Sequence, residues 1–158
     1  TIDLPTVAAQ EVGASIEGEG LSHAMTSLDR VRVLLIDDDK DARELSLAVL
    51  EQSGARVKAV SSSAEAIASL LGTPRALIPH VIVSDLGMPA QDGYQLIRQI
   101  RAIDSELGRI PAVAVTGYAT ADDVQRALTA GFQLHISKPM DPAAFVAAVA
   151  DLARVDRA

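Results

Sequence analysis

The segment "VRVLLIDDDKDAREL", residues 31–45, decides how the rest of the chain reads. It begins as a nearly continuous apolar run and stops on three consecutive acids, Asp37, Asp38 and Asp39. Such a run, without alternation, marks a strand buried on both faces. A helical pattern follows the acids: Ala42, Leu45, Val49 and Leu50 fall on one stripe, and Gly54 ends it in C-cap style. A doubly buried strand that leads directly into an amphipathic helix is the first half of a βαβ unit.

The same alternation continues downstream. "RVKAV" (56–60) reads as a short strand, and Ser62 with Glu65 gives a capping-box start to a helix carrying Ala66, Ile67, Leu70 and Leu71. "HVIVSD" (80–85) is a second buried strand that ends on an acid, and "GYQLIRQIRAI" (93–103) places Leu96, Ile97, Ile100 and Ile103 at helical spacing. "PAVAVTG" (111–117) is a third buried strand. Thr120 with Asp123 opens a helix that Gly131 closes, and "QLHIS" (133–137) is a weaker final strand. Asp141 as N-cap and Pro142 at the first helical position start a last helix with Phe145, Val146, Val149 and Leu152 inward. Five strands alternating with five helices predict an α/β fold, a doubly wound parallel sheet covered on both faces. The expected organisation is a linker or tail over 1–30, one domain over 31–154 and a short tail over 155–158.

Composition narrows the function. The 158 residues are 49% hydrophobic but only 3% aromatic, so Ala, Val, Leu and Ile must build the core. With no cysteine, disulfides, thiolate metal sites and a Cys nucleophile are excluded. The net charge is −7, and residues 1–29 contribute −5 of it because they carry five acids and no Lys or Arg. An acidic chain is a poor binder of nucleic-acid phosphates. The sequence contains no apolar run long enough to span a bilayer and no secretory signal, and a cytoplasmic location is expected. The chain starts at Thr1 rather than Met, which suggests a processed product or a piece of something longer.

Ligands of an open parallel sheet bind at the carboxyl ends of its strands. Those ends carry Asp37, Asp38 and Asp39 on the first strand, Asp85 on the third, Thr116 on the fourth and Lys138 on the fifth. Converging carboxylates repel one another unless a proton or a cation intervenes. An all-oxygen set suits a hard ion such as Mg²⁺, which also takes phosphate oxygens. Lys138 and Thr116 would complete the neutralisation of a phosphoryl group in transfer, with a carboxylate as acceptor. Asp85 is the best acceptor, since it stands alone at a central strand end. Taken singly, each of these residues has an ordinary reading: a solvated helix start for the acid run, a surface lysine, a strand threonine. Their coincidence at one rim is what carries the chemistry.

Together, "VLLIDDDKDAREL", "VIVSDLGMPAQDGYQLI", "AVAVTGYA" and "ISKPMDP" resemble the receiver domain of two-component signalling proteins over roughly residues 31–154. The resemblance implies a flavodoxin-like sheet of order 2-1-3-4-5. It further implies phosphoryl transfer from a histidine kinase or histidine phosphotransfer domain to Asp85, and a conformational switch in a phosphorelay. By the same resemblance, Asp37, Asp38, Asp85 and the backbone carbonyl of Gly87 hold Mg²⁺, with Asp38 the more direct ligand of the acidic pair. Thr116 and Lys138 stabilise the phosphoryl group, and Pro139 is structural beside them. Met88, Pro89, Asp92 and Gly93 form a structural loop after the acceptor. His135 occupies the switch position, where the family usually has Tyr or Phe; its ordinary reading is a half-buried histidine. His23 and His80 have no matching role. Gly87 and Tyr118, two positions after the acceptor and the threonine, suggest slow self-dephosphorylation. "TIDLP" at the start is similar to the end of a histidine-kinase ATPase domain, so the implied parent is a hybrid histidine kinase.

Such a module accepts a phosphoryl group and is not a turnover enzyme. One alternative is a haloacid-dehalogenase-type phosphatase, whose D-x-D-x-T motif fits Asp37 and Asp39 but meets Asp41 at the fifth position. Another is a receiver that serves as a phosphate sink or scaffold. A calcium loop on Asp37, Asp39 and Asp41 fails at Ala42 and Ala48. P-loop and dinucleotide motifs are absent, and the oligomeric state is open.

Overall fold

The computed structural model describes residues 27–87, 92–117, 120–138 and 141–157. Their strands are β1 (Arg32–Ile36), β2 (Arg56–Val60), β3 (Val81–Asp85), β4 (Ala112–Thr116) and β5 (Leu134–Ser137). The helices are α1 (Lys40–Gln52), α2 (Ser63–Gly72), α3 (Gly93–Arg101), α4 (Ala121–Ala130) and α5 (Pro142–Arg157). All strand pairings are parallel, in the order β2-β1-β3-β4-β5. This is the doubly wound parallel sheet that the alternation of elements predicts, in the order 2-1-3-4-5 that the resemblance implies. Two 3₁₀ turns, Arg75–Leu77 and Glu106–Arg109, interrupt the connections into β3 and β4.

Strand side chains alternate between two cores because successive residues point to opposite faces. Leu34, Ile36, Ile82, Ala112 and Ala114 join Leu70 of α2, Ile97 and Ile100 of α3 and Ala127 of α4. Val33, Leu35, Val81, Val83, Val113 and Val115 join Leu50 of α1 and Phe145 and Val149 of α5 on the other face. Phe145 is fully buried, so its truncation to Ala would remove about 3–5 kcal/mol. The core is aliphatic, as the low aromatic content requires.

Local signals account for most helix ends. Asp92, Thr120 and Ser62 accept from the N3 amides of α3, α4 and α2, and Asp141 accepts from the Ala144 amide in α5. Only half of the expected Ser62–Glu65 box forms, because the Glu65 carboxylate takes the Ser61 amide and hydroxyl instead. Gly131 ends α4 at φ +133°, a conformation that favours glycine, and a Cβ there would lie 2.9 Å from the Arg101 side chain.

Two expectations differ from the structure. Leu45, placed on the inward stripe of α1, is 63% exposed, while Ser46 beside it is buried. The apolar positions of α1 serve two surfaces: Leu50 enters the core, and Leu45 lies on the wall of a groove shared with α5. Ordered packing also includes a residue before position 31. Leu28 is fully buried and donates its amide to the Ser53 carbonyl at 2.7 Å, so the folded part reaches back at least to this residue. Helix α5 runs on to Arg157, into the stretch read as a tail.

Candidate functional site

The parallel register brings the strand ends to one rim. Ile36 pairs with Ser84, Asp85 with Val115 and Thr116 with Ser137, so the residues at or just after these pairs lie side by side. Asp37, Asp38 and Asp85 each present a carboxylate oxygen within 4.8 Å of the others. The Lys138 ammonium, at the end of β5, lies 3.6 Å from Asp37 Oδ2 and 3.8 Å from Asp85 Oδ1. Thr116 is buried at the end of β4, and its carbonyl accepts the Lys138 amide at 2.8 Å. Four strands with no sequence proximity thus contribute to one cluster.

The backbone holds these carboxylates in place. Asp37 is buried; its Oδ1 accepts the Asp39 amide at 2.9 Å, and Arg43 Nη1 holds its carbonyl at 2.9 Å. Asp85 is half-buried, and its Oδ1 accepts the Gly87 amide at 3.3 Å. Asp38 is exposed. Gly93, at the start of α3, packs against the backbone that carries the acceptor. A Cβ at Gly93 would fall 2.6 Å from the Asp85 carbonyl oxygen and 3.0 Å from Leu86 Cα, which leaves no room for any other residue.

The electrostatics of the rim point to a cation. Burial raises the Asp37 pKa above the ordinary carboxylate value; the Asp39 amide and Lys138 pull it down, and Asp85 and Asp38 push it up again. Three carboxylates and one ammonium leave a formal −2 when all are ionised. One divalent ion would cancel that, and an all-oxygen donor set suits a hard cation. The fit is therefore good in both charge and donor chemistry.

The remaining expected residues fall at various distances from the cluster. His135 lies in register with Ala114, on the α2–α3–α4 face of the sheet. Its ring is half-buried, and its Nε2 has no hydrogen-bond partner among the described residues. His80, expected to be incidental, accepts the Arg32 amide at Nδ1 and helps tie β1 to β3 at the opposite end of the sheet. Met88, Pro89, Tyr118, Pro139 and residues 1–26, including His23, lie outside the described residues. Beside the rim, Ala42, Leu45, Ser46, Val49, Pro142 and Phe145 line an apolar groove of about 180 Å³ that Lys138 closes. Nothing in the apolar stripe of α1 distinguishes Leu45, 63% exposed on the wall of this groove, from Leu50, which is buried in the core.

Arg101 is a structural residue that sequence reasoning missed. Its guanidinium donates to the carbonyls of Gly131, Gly108 and Ile110 at 2.7–3.1 Å, and it fastens α3 to the turns before β4 and β5. Burial lowers its pKa. Backbone carbonyls carry no sequence signal, so nothing in the chain marks it.

Comparison with known proteins agrees with this geometry. The family model described as response regulator receiver domain matches residues 33–150. An uncharacterized 14.6 kDa protein of Leptolyngbya boryana is 37% identical over 118 residues, covering 75% of this chain and 86% of that protein. Probable histidine kinase 2 of Oryza sativa subsp. indica is 34% identical over 133 residues, covering 77% of this chain but 13% of the kinase. The crystal structure of the signal receiver domain of a signal transduction histidine kinase from Syntrophus aciditrophicus superposes with a TM-score of 0.70 at 29% identity, covering 79% of this chain and 91% of that one. No helix among the described residues is long and apolar enough to cross a membrane. The strand order, the acid cluster and these matches converge: the chain belongs to the response regulator receiver domain family of two-component signalling.

Proposed function

We propose that Asp85 is the phospho-acceptor of this receiver and that Asp37, Asp38, Asp85 and the Gly87 carbonyl hold Mg²⁺ beside it. The observation that carries the reading is the convergence of three carboxylates within 4.8 Å, with the Lys138 ammonium reaching two of them. An Asp85 oxygen attacks the phosphorus of a phosphohistidine; the P–O bond forms as the P–N bond breaks, and the imidazole nitrogen keeps the electron pair. The bound ion would screen the carboxylates from one another and from the incoming oxygens. Lys138 meets a phosphoryl oxygen as a compact point charge, and Thr116 donates a hydroxyl hydrogen bond.

The added charge at Asp85 then biases a two-state rim. Thr116 moves toward the phosphoryl group, and the His135 ring, whose Nε2 has no partner among the described residues, repacks against its sheet face. The donor is a histidine kinase or a histidine phosphotransfer domain. The groove beside Lys138 suits an apolar helix face of that donor, because Leu45 is exposed next to the site where the phosphoryl group must arrive. The setting is cytoplasmic, and the parent is a hybrid histidine kinase in which this chain is the receiver.

The test is incubation with Mg²⁺ and a small phosphodonor, followed by intact-mass measurement. One phosphoryl adduct is expected, absent in Asp85→Asn and absent without the metal. An adduct of equal yield in Asp85→Asn would place the chemistry elsewhere.

A further inference from the structure

The turn from β1 into α1 carries the acidic pair, and hydrogen bonds hold its backbone from both sides. The Asp37 amide donates to the Val60 carbonyl at 3.2 Å, and the Asp39 amide donates to Asp37 Oδ1 at 2.9 Å. Arg43 supplies two more: its Nη1 donates to the Asp37 carbonyl and its amide to the Asp39 carbonyl, both at 2.9 Å. Acids surround Arg43 in the sequence, at Asp39, Asp41 and Glu44. Glu65 also comes near enough to feel its charge, after the stronger hold of the Ser61 amide and hydroxyl on that carboxylate. Yet the Arg43 side chain forms no salt bridge among the described residues; its hydrogen bond goes to a neutral carbonyl.

That choice of acceptor bears on Asp38. Its carboxylate accepts no hydrogen bond among the described residues, so its place is inherited from the backbone on either side. A peptide unit is planar, and two of them flank the Asp38 Cα. Arg43 restrains the first through the Asp37 carbonyl, and Asp37 Oδ1 restrains the second through the Asp39 amide. With both planes held, the direction of the Asp38 Cα–Cβ bond is held as well. The outcome is an exposed carboxylate with an oxygen within 4.8 Å of one from Asp37 and one from Asp85.

We infer that Arg43 is a positioning residue for the rim: it sets the Asp37–Asp38 peptide, and through it the Asp38 carboxylate, for Mg²⁺. The inference rests on Mg²⁺ binding at Asp37, Asp38 and Asp85 and adds a residue that acts on it through the backbone. Charge and position predict opposite signs here. A guanidinium near a cation site repels the cation, so on charge alone its removal would tighten Mg²⁺ binding. Loss of a group that orients a metal ligand from behind typically weakens the metal by roughly 10–100-fold.

The test is Mg²⁺ titration of the ¹⁵N-labelled full chain, read at the amides of Asp38, Asp85 and Gly87, with Kd compared between the parent and Arg43→Met. Arg43→Met should bind about tenfold more weakly, with the core amides of Val83 and Val113 unmoved as the mark of an intact fold. Arg43→Lys restores a donor and the charge, and should return Kd to within about threefold of the parent. Should Arg43→Met lose its dispersed spectrum, Arg43→Gln takes its place in the comparison. Binding by the neutral variant that is tighter than the parent's, or within about threefold of it, overturns the inference, because position then contributes too little to outweigh charge. So does an Arg43→Lys variant as weak as the neutral one, which would make the bulk of the side chain the cause. A parent chain whose strand-end amides ignore Mg²⁺ would overturn the metal site itself and this inference with it, an outcome distinct from the other two.

Discussion

Lys138 ought to oppose metal binding and favour phosphoryl transfer, and Lys138→Met separates the two. The ammonium sits 3.6 Å from one carboxylate and 3.8 Å from another, and it is less than one-third exposed. At an effective dielectric of about 20, each contact is worth roughly 4 kcal/mol before desolvation and side-chain entropy are subtracted. A net ~1–2 kcal/mol for the two is the reasonable scale for a partly screened group. Its removal takes the formal charge of the rim from −2 to −3. The metal-free variant should therefore be less stable by that amount, a fall in Tm of several degrees for a domain of this size. A divalent ion sharing those carboxylates would no longer be repelled by the ammonium, so Mg²⁺ should bind about tenfold tighter, or ~1.4 kcal/mol. Phosphorylation by a small donor should nevertheless slow by roughly 10²-fold, because a preorganised charge aimed at the phosphoryl oxygens is gone. Calorimetric titration with Mg²⁺ and intact-mass time courses on the same sample read both effects. Weaker Mg²⁺ binding in the variant, or an unimpaired phosphorylation rate, would refute the reasoning.

Other outcomes follow from single contacts. Arg101→Ala strands three carbonyls and should cost about 3 kcal/mol, read as a lower urea midpoint with little change in slope. Gly93→Ala forces the Asp85 carbonyl aside; a loss of about 1–3 kcal/mol should come with slower phosphorylation, measured by intact mass. Leu45→Asp should leave stability within about 0.5 kcal/mol and small-donor phosphorylation unchanged, yet slow transfer from a phosphohistidine protein in a radiolabel assay. At Gly87, where a Cβ would meet nothing within 4 Å, Gly87→Asn should fold normally and shorten the phosphoryl lifetime by giving water a side chain to bind. Finally, the raised pKa of Asp37 makes its ionisation a cost of folding. That cost is absent below the unfolded pKa and grows as pH rises through the folded value, so the metal-free protein gains stability on mild acidification. Mg²⁺ binding should weaken over the same window and release a proton, which calorimetry in buffers of different ionisation enthalpy detects.

The sheet was legible because its central strands are short apolar runs cut off by acids, a pattern that surface helices do not produce. The rim was legible for the same reason: a parallel sheet gathers strand ends, so Asp37, Asp85, Thr116 and Lys138 could be placed together without any tertiary information. Leu45 shows where periodicity fails. A helix wedged between core and groove carries apolar residues for both, and the stripe cannot say which is which. The buried position beside Leu45 on α1 is Ser46, a small polar residue that no hydrophobic pattern selects. Arg101 and Arg43 escaped for a different reason: both hold backbone carbonyls, which carry no sequence signal.

The claim that everything else depends on is that the carboxylates at the strand ends share a divalent ion. Titration of the ¹⁵N-labelled chain with Mg²⁺ tests it directly. The amides of Asp37, Asp38, Asp85 and Gly87 should shift saturably while those of Arg32 and Arg56, at the far edge, stay fixed, and Asp85→Asn should weaken the response. A spectrum unmoved at the strand ends, or one moved uniformly over the whole surface, would contradict the account.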